Sequence, residues 1–314
     1  MRTAFFKTLE ELAERDPRII FITGDLGFSV VETYARRFPK QFLNAGVAEA
    51  NMTGVAVGLA LSGKIVFTYS IGNFPTLRCL EQIRNDACYH RANVKIVSVG
   101  GGLSYGALGS SHHATEDLAI FRVLPEMTVV APADPVESAL ATRAIVQHQG
   151  PCFLRLGKAG EPPLHDPAVP FTLGKSIRIR DGADVTLIGT GPIVGACLQA
   201  ADRLMAKGMS VRVISMHTIK PLDVDAVRLA AQETSAILTV EEHSTIGGLG
   251  GAVAEVLAQS QGRRVPFRIL GLPDRFCRVV GNHDYLKQIS GLTVQDIVRE
   301  AEGLVGMNVS GGRL

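Results

Sequence analysis

The sequence predicts an α/β fold of two doubly wound domains, each with a mainly parallel sheet flanked by helices. Three observations carry that expectation. Apolar runs of strand length alternate with amphipathic runs of helix length along the chain. Glycine is abundant, 33 of 314 residues, and falls repeatedly where one run gives way to the next. The alternation stops once, at "GKAGEPPLHDPAVPFTLG", where Pro162, Pro163, Pro167 and Pro170 remove donors and fix φ. That stretch reads as a partly extended linker. The expected units are therefore residues 1–157, a linker at 158–174, and residues 175–314.

In the first unit, "FFKTLEELAER" spaces its apolar residues as a helix face, and "IIFITGD" reads as a buried strand ending in a turn. "QFLNAG" predicts a short strand, and Glu49 to Ser62 a helix closed by Gly63. Strands follow at "KIVFTYS", "VKIVSVGG", "MTVVAPA" and "CFLRLG". Between them lie helices at "TLRCLEQIRNDACYH", "TEDLAIFRVL" and "PVESALATRAIVQH". The second unit reads as strands at "DVTLIGTG", "SVRVISM", "AILTVEE" and "FRILGL". Its helices are expected at "IVGACLQAADRLMAKG", "LDVDAVRLAAQET", "LGGAVAEVLAQ" and near "TVQDIVREAEGL", with a frayed tail at "VGMNVSGGRL". In such sheets ligands bind beyond the carboxyl ends of the strands. Gly24–Asp25, Ser70 to Phe74, Gly100 to His113 and Arg155 all fall at such ends.

The composition narrows the function classes. At 46% hydrophobic, 20% charged and net +2, the chain gives no electrostatic reason to expect nucleic acid or an anionic membrane. Runs such as "VAVGLAL" are far short of a bilayer span, and residues 1–20 lack the apolar core of a secretory signal. Five scattered cysteines without a CxxC read as reduced thiols in a cytoplasmic protein.

Several motifs have bland readings. "GTGP" lacks the further glycine of a dinucleotide fingerprint and reads as an ordinary turn. "TIGGLGGAV" offers an anion cradle at a helix start, or simply close backbone packing. "GDLG" carries Leu26 where a GDG…N metal–diphosphate motif needs glycine, so no metal ligands are assigned to this chain. In "SSHHATED" two consecutive histidines cannot face one way, so one imidazole in a cleft fits better than a shared zinc. "NAGVAEANM" sets a lone acid, Glu49, at the start of a helix with no cation until Lys64.

Taken together these segments resemble the C-terminal two-thirds of a transketolase. "GDLG", "NAGVAEANM", "LEQIRND", "GGLSYGALGSSHHATEDLA", "LPEMTVVAPAD", "ISMHTIKPLD" and "VEEHSTIGGLGGAVAEVLA" carry the resemblance, over roughly residues 2–305. It implies a pyrimidine-binding domain followed by a transketolase C-terminal domain, and thiamine diphosphate as cofactor. It further implies a separate partner subunit whose GDG…N motif holds the diphosphate with Mg²⁺ or Ca²⁺, in a heterotetramer acting on sugars or sugar phosphates.

By the same resemblance Glu49 is the catalytic glutamate that hydrogen-bonds the pyrimidine N1′, and a dry carboxyl is suited to share that proton. Phe74 matches the aromatic that stacks on the pyrimidine, and Asp25 an acid near the cofactor. Ile71 and Leu77 stand where further aromatics are usual. His112 matches a substrate-facing histidine, and Gly100 or Gly101 replaces another. Arg2 and Arg155 match positions that hold the acceptor's phosphate. The expected activity is transfer of a two-carbon ketol unit. Alternatives are a β-type subunit of another thiamine enzyme, of the deoxyxylulose-phosphate synthase or 2-oxo-acid dehydrogenase E1 kind, and a non-catalytic scaffold.

Overall fold

The computed structural model describes residues 1–27 and 30–311, the side chains of 307–311 apart. Its first half contains α1 (Arg2–Arg15), β1 (Ile19–Thr23), α2 (Val31–Arg37), β2 (Phe42–Asn44), α3 (Glu49–Leu61) and β3 (Ile65–Ile71). It continues with α4 (Leu80–Gln82), β4 (Val94–Val99), α5 (Asp117–Val123), β5 (Thr128–Val130), α6 (Pro135–Gln147) and β6 (Cys152–Leu156). Residues 157–176 hold no helix or strand. Then come β7 (Ile177–Arg180), β8 (Val185–Thr190), α7 (Val194–Met205), β9 (Val211–Ser215), β10 (Thr218–Lys220) and α8 (Val224–Glu233). Last are β11 (Ala236–Ser244), α9 (Leu249–Gln259), β12 (Phe267–Leu272), α10 (His283–Ile289) and α11 (Val294–Gly311).

Two sheets result, as the α/β pattern requires. One has seven strands in the order β10-β5-β6-β4-β3-β1-β2, the other five in the order β12-β11-β8-β9-β7. All pairings are parallel except β10 with β5 and β7 with β9. The inner strands β3, β4 and β6 are buried almost throughout, because helices cover both faces. On one face Phe5, Phe6, Phe21, Phe67 and Tyr69 interlock, with Phe6 meeting Tyr69 edge-on at 5.3 Å. Each such buried ring stabilises by roughly 1.5–3 kcal/mol. On the other face Met52, Ala56 and Val57 of α3 pack with Leu118 and Phe121 of α5. α3 ends as expected, with the Gly63 N–H bonded to Ala60 O at 3.0 Å.

The structure corrects four expectations. β10 comes from the second unit by sequence but completes the first sheet, so the second unit keeps its own five-stranded sheet and also lends an edge strand to the first. "TLRCLEQIRNDACYH" is not one α-helix: a 3₁₀ turn at Leu77–Cys79 leads through α4 into a π-helical turn at Ile83–Cys88. Its start is fastened backward, with Cys79 Sγ donating to Phe74 O (3.3 Å) and Thr76 Oγ1 to Gly72 O (3.1 Å). α2, β7 and α10 were not expected from the pattern. The tail is helical to Gly311, while residues 312–314 lie outside the described residues.

The proline-rich stretch is pinned to the first sheet's helix layer. Asp134, the N-cap of α6, accepts from Leu164 N (2.6 Å) and His165 N (3.0 Å) with one oxygen and from Glu137 N (2.7 Å) with the other. The His165 ring lies 3.2 Å from Asp134 and 3.3 Å from Glu137, all three side chains being buried. Burial disfavours the imidazolium, but the two carboxylates outweigh it and leave the His165 pKa raised. Burial pushes Glu137 up to about 6. Nearby, Phe171 stacks on His217 at 4.0 Å. Among the described residues, no helix is long and apolar enough to cross a membrane.

Candidate active site

The site forms where β1, β3 and β4 end and their loops converge. The loop after β1 puts Asp25 at φ 57°, a conformation aspartate tolerates better than most residues. Asn44, at the end of β2, binds it twice: Asn44 Oδ1 accepts from Asp25 N (3.1 Å) and Nδ2 donates to Asp25 Oδ1 (2.9 Å). The same Oδ1 also takes Gly46 N at 3.0 Å, which ties "GDLG" to "NAGVAEANM" and fixes where α3 begins.

Glu49 is the first residue of α3 and is only 2% exposed. The helix N-terminus favours an acid there. Its expected isolation within the chain is overturned: Arg78 Nη1 donates to Glu49 Oε2 at 2.7 Å. The same guanidinium lies 4.9 Å from the centroid of the Phe74 ring, and the Arg78 side chain is 48% exposed. Glu49, Arg78 and Phe74 thus make one cluster, with the acid at its base and the arginine at its mouth.

Phe74 is held by the turn that follows β3. Gly72 N donates to Val99 O (3.0 Å), and Gly72 O accepts from Ser98 Oγ (3.0 Å). Gly72 has φ +47°, and a Cβ there would lie 2.9 Å from His112 O, so only glycine lets the histidine loop come this close. Asn73 Nδ2 donates to His113 O, clamping the two loops together. His112 then meets Phe74 edge-on at 5.1 Å and lies 6.5 Å from the Tyr105 ring, with Ser111 Oγ 3.1 Å from its Nδ1. His113 points the other way into the protein, where burial pushes its pKa down.

Arg155 is placed differently from the open clamp expected of it. It is 3% exposed, and its Nε donates to Asp117 Oδ2 at 2.9 Å. Its Nη2 donates to Ala114 O (2.6 Å) and Glu242 O (3.0 Å), so it braces the histidine loop against β11. A Cβ on Gly101 would fall 2.5 Å from Arg155 Nε, which explains why this loop carries glycine rather than histidine. The cation that faces outward is Lys158, three residues on, with Nζ 4.8 Å from the Tyr105 ring centroid. Arg2 is half-buried near the same phenol, its Nε buried without a hydrogen-bond partner among the described residues. Burial pushes the Tyr105 and Tyr69 hydroxyls up, while Arg2 pulls both down. Ile71 ends β3 half-buried and packs on the aromatic core with Tyr69.

Sequence reasoning missed Arg78, Tyr105 and Lys158. Nothing in "TLRC" marks Arg78. A signal did exist for Lys158: an arginine inside an inner parallel strand is covered on both faces, so the first free cation lies past the strand's end. The anion cradle offered by "TIGGLGGAV" proves to be filled from within. Glu241 is fully buried and accepts from Leu249 N and Gly250 N, both at 2.7 Å, at the start of α9.

Known proteins share this architecture. Residues 1–161 match the transketolase pyrimidine-binding domain, and residues 174–297 the transketolase C-terminal domain. An apulose-4-phosphate transketolase subunit from Phocaeicola vulgatus is 40% identical over 302 residues, covering 96% of each chain. The 6-deoxy-6-sulfo-D-fructose transketolase subunit SqwH of a Clostridium species is 39% identical, over 96% of this chain and 93% of its own. A solved split-gene transketolase, described as an inactive β4 tetramer, superposes with a TM-score of 0.91 at 37% identity, covering 98% of both chains. With its sheets, its buried helix-start glutamate and both domain matches in agreement, the chain belongs to the transketolase family.

Proposed function

We propose that this chain is one subunit of a thiamine-diphosphate-dependent transketolase that moves a two-carbon ketol unit from a ketose to an aldose. The observation that carries the reading is the Glu49–Phe74 pair with a planar nitrogen donor already on it. The Arg78 guanidinium is flat, donates N–H to Glu49 and lies over Phe74. An aminopyrimidine asks for the same two contacts, so the residues fit it. When bound, thiamine diphosphate supplies the carbon nucleophile that takes up the two-carbon unit.

The chain's own residues have the following work. Glu49 holds a proton against the ring nitrogen in a site from which water is largely excluded. Phe74 fixes the plane of the ring, with Ile71 as an aliphatic wall and Asp25 keeping the two loops in register. His112, edge-on to Phe74, faces the space where substrate hydroxyls lie. Arg2 and Lys158 hold an anionic end of the substrate, and Arg155 supports the loop behind them.

A partner chain with the GDG…N module and Mg²⁺ or Ca²⁺ completes the site, in a heterotetramer. The relatives named as subunits, matched over nearly their full length, support this arrangement. So does the outer face of α3, where Asn51, Gly54 and Gly58 are exposed, Leu61 is 60% exposed, and no charge occurs from Ala50 to Gly63. Small, uncharged helix faces suit close packing against another chain.

The test is reconstitution with the partner and thiamine diphosphate, followed by assay of ketol transfer between sugars. The pair turns over and this chain alone does not. Glu49→Gln lowers transfer by about 10²-fold, the lower end of general acid–base contributions. Release of CO₂ from a 2-oxo acid, in place of ketol transfer, would overturn the assignment.

A further inference from the structure

We infer that Arg78 is a latch on the cofactor site, closed in the free subunit and displaced when the cofactor's pyrimidine arrives. The inference rests on the proposed function and concerns how the site loads. The only described group on Glu49 Oε2 is the Arg78 guanidinium, at 2.7 Å. It occupies both contacts that the pyrimidine needs, the carboxylate and the face of Phe74. Arginine and ring cannot hold those positions together.

The latch is built to open. Glu49 is fixed at a helix start and 2% exposed, whereas the Arg78 side chain is 48% exposed and reaches in from solvent. Its backbone belongs to the short 3₁₀ turn Leu77–Cys79 at the head of a π-helical segment, so swinging it out breaks no regular helix. An ion pair with one partner half in solvent opens more readily than one buried on both sides. Closed, it satisfies a buried carboxylate that would otherwise lack a partner. The acid is thus kept ordered until a better-shaped donor replaces the arginine. Once the ring is bound, the departed guanidinium no longer opposes a proton shared between Glu49 and the ring.

The apparent affinity of a site scales with the fraction of protein in the open form. A latch closed nine times in ten therefore weakens cofactor binding about tenfold. The decisive comparison is thiamine diphosphate binding by the reconstituted pair, wild type against Arg78→Ala, by titration calorimetry with thermal melts as a folding control. Arg78→Ala binds about tenfold more tightly, and Arg78→Lys, which keeps the charge but not the plane, falls between. Unchanged or weaker binding in Arg78→Ala overturns the latch.

A second readout needs no cofactor. In the chain alone, the Arg78 guanidinium N–H groups give separate, slowly exchanging NMR signals, which Glu49→Gln abolishes. Averaged signals in the wild-type chain overturn the latch as well. If those signals are present yet no variant binds thiamine diphosphate, the latch stands and the proposed function falls.

Discussion

Arg155→Met separates a brace from a substrate clamp. The arginine side chain is 3% exposed, its Asp117 partner 0%, and the guanidinium also holds Ala114 O and Glu242 O. Methionine fills much of the volume but leaves the Asp117 carboxylate buried without its cation. Breaking a buried pair from one side costs about 3–5 kcal/mol. At about 2–4 °C per kcal/mol for a folding unit of this size, the melting temperature falls by roughly 6–20 °C. The assay is thermal and urea unfolding followed by far-ultraviolet circular dichroism. Arg155→Met with Asp117→Leu removes both charges, and most of the stability returns, because a buried pair replaced by apolar groups is often nearly neutral. The same variants are assayed in the reconstituted enzyme. The reasoning is refuted if Arg155→Met stays within about 1 kcal/mol of the parent and instead raises KM for a phosphorylated acceptor.

Two further outcomes are expected. Lys158→Ala raises KM for a phosphorylated or sulfonated substrate about tenfold, the loss of one charged hydrogen bond, with kcat and melting temperature little changed; an unaltered KM removes Lys158 from the site. Stability falls as pH rises through the neutral range because of His165. Its folded pKa is raised, so its contribution is complete below the unfolded value of about 6.5 and is lost as pH climbs through the folded value. Glu137, raised to about 6, acts with the same sign but at lower pH, between its ordinary value of 4.5 and about 6, so it adds little to a comparison made above pH 6. Melting scans at pH 6 and 8.5 show the drop in the parent and a smaller one in His165→Gln; equal drops would remove His165 as the cause.

Much of the architecture was legible because its signals are local. β3 and β4 are continuous apolar runs of strand length, and α3 is bounded by an acid at one end and glycine at the other. Glu49, Phe74 and His112 were legible through motif context, and the structure brings them into one cluster. What escaped depends on distance along the chain. Arg78 reaches Glu49 from 29 residues away, and no spacing rule covers that pair. The three residues of β10 carry too little pattern to announce a strand, and their partner β5 lies some 90 residues earlier. The bracing contacts of Arg155 escaped because a residue type suited to gripping phosphate is equally suited to bracing a loop. Its neighbours Gly101 and Asp117 decide between the two jobs, and only the fold makes them neighbours.

β10 also sets how the chain can be divided. Lys220 and Thr218 pair with Val129 and Val130, and Ala131 N adds a bond to His217 O at 2.8 Å. β5 is fully buried behind them. A cut in the proline-rich stretch, natural as it looks on the sequence, would strip this strand away and leave β5 as a bare apolar edge. Such an edge recruits strands from other chains. The C-terminal half therefore covers an edge that the N-terminal half would otherwise expose, and a fragment ending near residue 160 should aggregate more readily than the whole chain in light-scattering measurements.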